Sequence, residues 1–144
     1  DMEVLTRVVT TSVSEKVAIV RQDEYESGSR KLLNFGHTLG HAIERDQKIL
    51  HGEAVALGMV LAARLSHTLG CLSAEGLALL EELIAAAGLP VERKFDPDQI
   101  FENIRKDKKK SGALIHFVLL DGPGNAFVRN IPLSELKKML HDLC

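Results

Sequence analysis

The sequence predicts a mainly α fold, a multi-helix bundle with one small β-hairpin near its C-terminal end. Three observations carry that prediction. Apolar residues recur at three- and four-residue spacing through most of the chain. Cap and stop residues stand where those periodic stretches begin and end. A single turn-forming stretch, Asp121-Gly122-Pro123-Gly124-Asn125, separates two runs of strand-forming residues, Ile115 to Leu120 and Ala126 to Asn130.

Each element has its own signal. Residues 3–22 carry Leu5, Val8, Val9, Val13, Val17 and Val20 at helical spacing, which reads as an amphipathic helix despite the β-branched content. Residues 21–29 are polar, contain Gly28 and read as a loop. A helix is expected from about Lys31 to Glu44, then a polar connection, Arg45-Asp46-Gln47-Lys48. The next helix runs from about His51 to Leu69, with Gly70 placed to end it in a left-handed conformation. Ser73 reads as the cap of a helix through Ala87, closed by Gly88 with Pro90 beyond. Asp96-Pro97-Asp98-Gln99 combines an Asp cap, Pro at the first helical position and Gln three after the cap, for a helix to about Lys108. Ser134 to His141 forms a last short helix.

The 144 residues suit one domain and can bury a core. With 45% apolar residues, 4% aromatic and no Trp, that core is mostly Leu, Ile, Val and Ala, a mixture suited to packed helices. A net charge of −2 offers no basic field for nucleic acid, and the basic run Arg105 to Lys110 is short and broken by Asp107. Cys71 and Cys144 are far apart and make no disulfide framework, which suggests a reducing compartment. The longest apolar run, Ala54 to Ala63, falls short of the roughly 20 residues a membrane span needs. No leader peptide is expected from the acidic start. The abrupt entry into a helical pattern at Asp1 suggests a piece of a longer protein. There is no Gly-x-Gly-x-x-Gly after a strand, so a nucleotide would be held elsewhere.

The chemistry concentrates in Asn34-Phe35-Gly36-His37-Thr38-Leu39-Gly40-His41, followed by His51-Gly52-Glu53. Residues four apart on a helix share a face, so His37 and His41 point the same way, with Gly36 and Gly40 as a bare strip beside them. Each glycine costs a helix about 1 kcal/mol relative to alanine, which implies a close approach to this backbone, the geometry of a metal or substrate site. Three histidines within fifteen positions suit zinc, which takes three protein ligands in a catalytic site and keeps one position open. A His-x3-His pair can equally be a coincidence of surface composition. His67, His116 and His141 form no constellation.

Longer blocks around these residues point to a family. Arg30 through His41, and His51-Gly52-Glu53-Ala54-Val55-Ala56-Leu57-Gly58-Met59, closely resemble the signature of 3-dehydroquinate synthases. Asp23-Glu24 with Glu26-Ser27-Gly28, and Asp107-Lys108-Lys109 leading into Phe117-Val118-Leu119-Leu120, extend the match from about Ser14 to the C-terminus. The segment from His41 to His51 is about two residues shorter than the family pattern.

The resemblance implies that residues 1–144 are a single helical domain, the C-terminal metal- and substrate-binding part of a cytoplasmic two-domain enzyme. NAD would be held mainly by an N-terminal domain that this chain lacks. The family is usually dimeric, uses zinc or cobalt, and is a carbon–oxygen lyase of the shikimate pathway. It converts 3-deoxy-D-arabino-heptulosonate 7-phosphate, a phosphorylated keto-acid sugar, to 3-dehydroquinate and phosphate.

By position, His37 and His51 match two metal ligands, and the third, a glutamate, is expected upstream. His41 matches a substrate-contacting histidine suited to shuttling a proton. Lys16, Arg30 and Asn34 match positions holding the substrate's carboxylate and hydroxyls. Glu26 matches a site glutamate, and Lys108 or Lys109 a carboxylate-binding lysine. Without the resemblance, Lys16 reads as a solvated side chain, Arg30 and Asn34 as a helix-start pair, and Lys108 to Lys110 as cations favoured by a helix C-terminus. By itself the chain is expected to be inactive and to bind zinc weakly. Rival readings are another sugar-phosphate cyclase of the 2-deoxy-scyllo-inosose or 2-epi-5-epi-valiolone synthase type, a glycerol-dehydrogenase-like metal enzyme, or a non-catalytic helical interaction module. The last requires His37 and His51 to be buried separately, with no shared cavity.

Overall fold

The Asp1 side chain accepts a hydrogen bond from the Glu3 backbone N–H at 2.9 Å and so caps the first helix, α1 (Met2–Gln22). A computed structural model describes residues 1–107 and 114–143 of the chain. These divide into two compact units, Asp1–Asn34 and Phe35–Cys144.

In the first unit α1 is followed by a 3₁₀ helix, Ser29–Asn34. The helix expected from periodicity is present, but its apolar stripe is not core. Leu5, Val8, Val9 and Val13 are all more than half exposed, and no α1 residue is buried. Helical periodicity reports that a face is apolar and leaves open what covers it.

The second unit is built around α3 (His51–Thr68). Its buried residues include Ala54, Leu57, Gly58, Val60, Leu61 and Leu65, and it packs on α2 (His37–Gln47), α4 (Ala74–Ala86) and strand β1 (Leu114–Gly122). The helix expected from Lys31 instead starts at His37, because Gly36 adopts φ 79° and breaks the run into the 3₁₀ helix and α2. The polar stretch after Glu44 continues α2 to Gln47, where Lys48, at φ 53°, donates its backbone N–H to the Glu44 carbonyl. Ser73 and Asp96 stand where the caps were expected: their side chains accept from the Gly76 and Asp98 backbone N–H groups. Asp96 precedes α5 (Pro97–Asp107).

Strand β1 pairs antiparallel with β2 (Asn125–Pro132) through a turn at Pro123 and Gly124, the latter at φ 80°. Pro before a positive-φ Gly is a residue pair that a type II turn favours. The hairpin runs further than sequence suggested, and α6 (Leu133–Leu143) follows it directly. Ile115, Phe117 and Leu119 alternate into the core of Leu39, Ile43, Leu57, Leu61, Leu65, Ile100, Ile104, Ile131, Leu136 and Leu140. Among the described residues two polar side chains are buried, Ser66 and Asn103, each with partners. Ser66 Oγ donates to the Ala62 carbonyl at 2.7 Å and accepts from the Leu120 N–H at 3.0 Å, joining α3 to β1. Asn103 Nδ2 donates to the Ala42 carbonyl at 3.1 Å, joining α5 to α2. Among the described residues no helix is long and apolar enough to cross a membrane.

Candidate metal centre

The glycine strip on α2 has a structural occupant. A Cβ built on Gly58 of α3 would lie 2.1 Å from the Gly36 carbonyl oxygen and 2.6 Å from the Gly40 nitrogen. One built on Gly40 would lie 3.0 Å from the Ala54 carbonyl oxygen. The close approach anticipated from Gly36 and Gly40 is therefore helix against helix, backbone on backbone. It was expected to be a metal or substrate coming up to the glycines, and the correction has a simple cause. Three glycines let α2 and α3 come nearer than any side chain would allow.

That contact assembles the histidines. His37 and His41 lie one turn apart on α2, and His51 opens α3. Their ring centroids form a near-equilateral triangle with sides of 5.5, 5.9 and 5.8 Å. One nitrogen from each ring lies within 4.8 Å of the others. His37 is half-buried, while His41 and His51 are exposed. Beside His37 and His51 opens an apolar cleft of about 470 Å³, lined by Val55, Met59, Leu80, Leu83 and Ala87 among others. The two histidines thus share a cavity, which removes the condition that the interaction-module reading required.

Two rings are oriented from behind. His37 Nδ1 lies 3.2 Å from the Phe35 carbonyl oxygen, and His51 Nδ1 lies 3.0 Å from Glu44 Oε2. Both partners can only accept, so each Nδ1 carries a proton, and in the neutral ring that a metal requires Nε2 is the nitrogen with the lone pair. A carbonyl or carboxylate behind an imidazole is the support that metal-bound histidines use. Three converging imidazoles fit a first-row divalent ion such as zinc or cobalt, which binds the neutral ring. Glu44 was missed in sequence. Its signal was legible, because positions 37, 41 and 44 fall on one helical face.

Of the remaining residues singled out from sequence, Lys16, Glu26, Arg30 and Asn34 lie in the first unit. Lys16 is exposed on α1. Glu26 and Asn34 are brought together, the Asn34 amide donating to Glu26 Oε1. Arg30 Nη1 donates to the Glu24 carbonyl at 2.6 Å. Asp23, not assigned a role from sequence, organises this loop. Its Oδ1 accepts from the Ser27 backbone N–H and hydroxyl, and its Oδ2 from the backbone N–H groups of Gly28 and Arg30, at 2.7 and 3.0 Å. The Arg30 N–H first, then that of Gly28, hold the Asp23 carboxyl down at about 2. An Asp before a Ser-Gly pair is the available sequence signal for such a turn. Lys108 and Lys109 lie outside the described residues.

The sequence profile described as 3-dehydroquinate synthase C-terminal matches residues 1–110. The chain belongs to this family. A 3-dehydroquinate synthase of Dehalococcoides mccartyi strain CBDB1 is 45% identical over 145 residues, covering 98% of this chain and 40% of the relative. One of Campylobacter jejuni strain 81-176 is 41% identical over 131 residues, covering 88% and 37%. The chain therefore spans about 40% of the length of these 3-dehydroquinate synthases.

Solved structures of the same fold are sugar-phosphate cyclases. One is 2-deoxy-scyllo-inosose synthase complexed with carbaglucose-6-phosphate, NAD+ and Co2+, at TM-score 0.79 and 26% identity over 97% of this chain and 41% of that one. Another is the 2-epi-5-epi-valiolone synthase of Streptomyces hygroscopicus with NAD+ and Zn2+ bound, also at TM-score 0.79 and 26% identity, over 96% and 39%.

Proposed function

We propose that this chain is the C-terminal metal- and substrate-binding part of a cytoplasmic 3-dehydroquinate synthase. The reaction is the conversion of 3-deoxy-D-arabino-heptulosonate 7-phosphate to 3-dehydroquinate and phosphate. The other part of a two-domain, dimeric enzyme would hold NAD. The observation that carries the reading is the convergence of His37, His41 and His51 in a member of this family. The fold neighbours' bound NAD+ with Co2+ or Zn2+ supports the cofactor assignment.

His37 and His51 would hold the ion, their Nε2 atoms fixed by Phe35 and Glu44. Bound there, a divalent ion polarises a substrate oxygen and lowers the cost of removing its proton. His41 takes and returns that proton, the part a histidine side chain is chemically suited to play near neutral pH. Arg30 grips the substrate carboxylate with its planar fork. Asn34 and Lys16 take carboxylate or hydroxyl oxygens, and Lys108 or Lys109 adds a point charge for the carboxylate. Glu26, held by Asn34, accepts from a substrate hydroxyl.

The experiment joins this chain to the part of the Dehalococcoides relative that it does not span and measures phosphate release. The chimaera is expected to act on the keto-acid phosphate and not on glucose 6-phosphate, and the chain alone on neither. Turnover of glucose 6-phosphate in preference would move the chain to the inosose-type cyclases. Robust turnover by the chain alone, with NAD and zinc supplied, would overturn the two-part reading.

A further inference from the structure

We propose that Asp23 is a positioning residue of the substrate site: its carboxylate closes the turn over residues 23–30 and through it holds Glu26, Arg30 and Asn34 in their working arrangement. The inference rests on the reading of those three residues as substrate-binding, and adds to them one that touches no substrate. Asp23 stands at the end of α1, its backbone N–H donating to the Ile19 carbonyl at 3.1 Å, so the turn is anchored to a helix. Both carboxylate oxygens are occupied. Oδ1 accepts from the Ser27 backbone N–H at 2.9 Å and from its hydroxyl at 3.1 Å. Oδ2 accepts from the backbone N–H groups of Gly28 at 2.7 Å and Arg30 at 3.0 Å. Four bonds fill the roughly four acceptor positions of a carboxylate and leave none for a ligand. With its carboxyl held down at about 2, chiefly by the Arg30 N–H and then by that of Gly28, Asp23 is ionised throughout the neutral range.

The substrate-binding side chains depend on this turn. Inside it Glu26 adopts φ 55°, a left-handed conformation uncommon for a residue other than glycine. Such a conformation persists only where the surroundings impose it, and the bonds from Asp23 to the next two residues, Ser27 and Gly28, do so. From that position the Glu26 carboxylate accepts from the Asn34 amide. The Glu24 carbonyl, also inside the turn, accepts from Arg30 Nη1 at 2.6 Å. One carboxylate therefore fixes Arg30 at both ends, its backbone N–H directly and its guanidinium through Glu24. Asparagine cannot replace it, because it has a single acceptor oxygen and its amide NH2 would face backbone donors. With the turn released, Glu26 leaves the left-handed region, and its carboxylate and the Arg30 fork lose their common alignment.

The test is steady-state kinetics on the chimaera with the Dehalococcoides relative, with the keto-acid phosphate as the varied substrate. Asp23→Asn should lower kcat/KM by about 10–100-fold, the scale of a substrate-holding group displaced by up to about 1 Å. Most of the loss should appear in KM, because these side chains hold the substrate before and during reaction alike. In an Arg30→Ala background the same change should cost at least about 3-fold less, since part of its path is already gone, whereas independent sites combine to within about 2-fold. No residue of the turn is buried, so the core survives the substitution and a thermal melt should show it. A turn that matters only for folding would lower kcat at constant KM and by the same factor in both backgrounds. Either of those results, with Arg30→Ala and Glu26→Gln still defective, would overturn the inference and leave the proposed function standing. If Arg30→Ala and Glu26→Gln turned over like the parent, or the parent chimaera released no phosphate from this substrate, both would fall.

Discussion

Gly58→Ala tests the contact that builds the site. The added Cβ would sit 2.1 Å from the Gly36 carbonyl oxygen, where ordinary contact begins at 3.4 Å, so α2 must retreat from α3 by about 1.3 Å. The obstacle is backbone on both sides and cannot rotate away. Overpacking a core costs about 1–3 kcal/mol, and an immovable obstacle puts this variant at the upper end, about 3 kcal/mol. For a chain of this size that lowers the Tm by roughly 10 °C. Urea unfolding should show a lower midpoint at unchanged slope. Gly52→Ala is the matched control, because nothing lies within 4 Å of its Cβ and it sits in the first turn of α3. It should gain about 0.5–1 kcal/mol. Since α2 carries two of the histidines and α3 the third, zinc affinity should fall in Gly58→Ala. A variant within about 0.5 kcal/mol of the parent, the range of an ordinary surface change, would refute the argument.

Other perturbations follow from single contacts. Glu44→Gln removes the carboxylate behind His51 and should weaken zinc binding by about 10-fold, measured by chelator competition. Zinc at 100 times its dissociation constant should raise stability by about 2.7 kcal/mol in a thermal melt, and a chelator should reverse it. Ser66→Ala leaves the Leu120 N–H and its strand without the buried hydroxyl, at a cost of about 1–3 kcal/mol in urea unfolding. The Asp23 carboxyl is depressed from 3.8 to about 2, so its contribution to loop stability is present above pH 3.8 and is lost as pH falls through about 2. Amide exchange at Gly28 and Arg30 should accelerate over that window, and Asp23→Asn should show the fast exchange at neutral pH.

Much of this was local information and therefore legible. Caps at Ser73 and Asp96, the Pro123-Gly124 turn and the shared face of His37 and His41 each follow from a few adjacent residues and the helical or strand repeat. The blocks around His37 and His51 pointed to the family, and the profile match and relatives bear that out. Less legible was the meaning of the glycines. Gly36 marks a break at φ 79° as well as a contact, and sequence spacing cannot separate those uses.

By itself the sequence determined which stretches become helices and hairpin, and that two imidazoles share one helical face, because both depend on repeats of a few residues. The tertiary structure alone decided how near His51 comes to them, that Glu44 stands behind it and that the apolar stripe of α1 stays exposed. Those outcomes depend on how near two helices come and what covers a face. That distance is set by backbone atoms meeting where Gly36, Gly40 and Gly58 have no side chain.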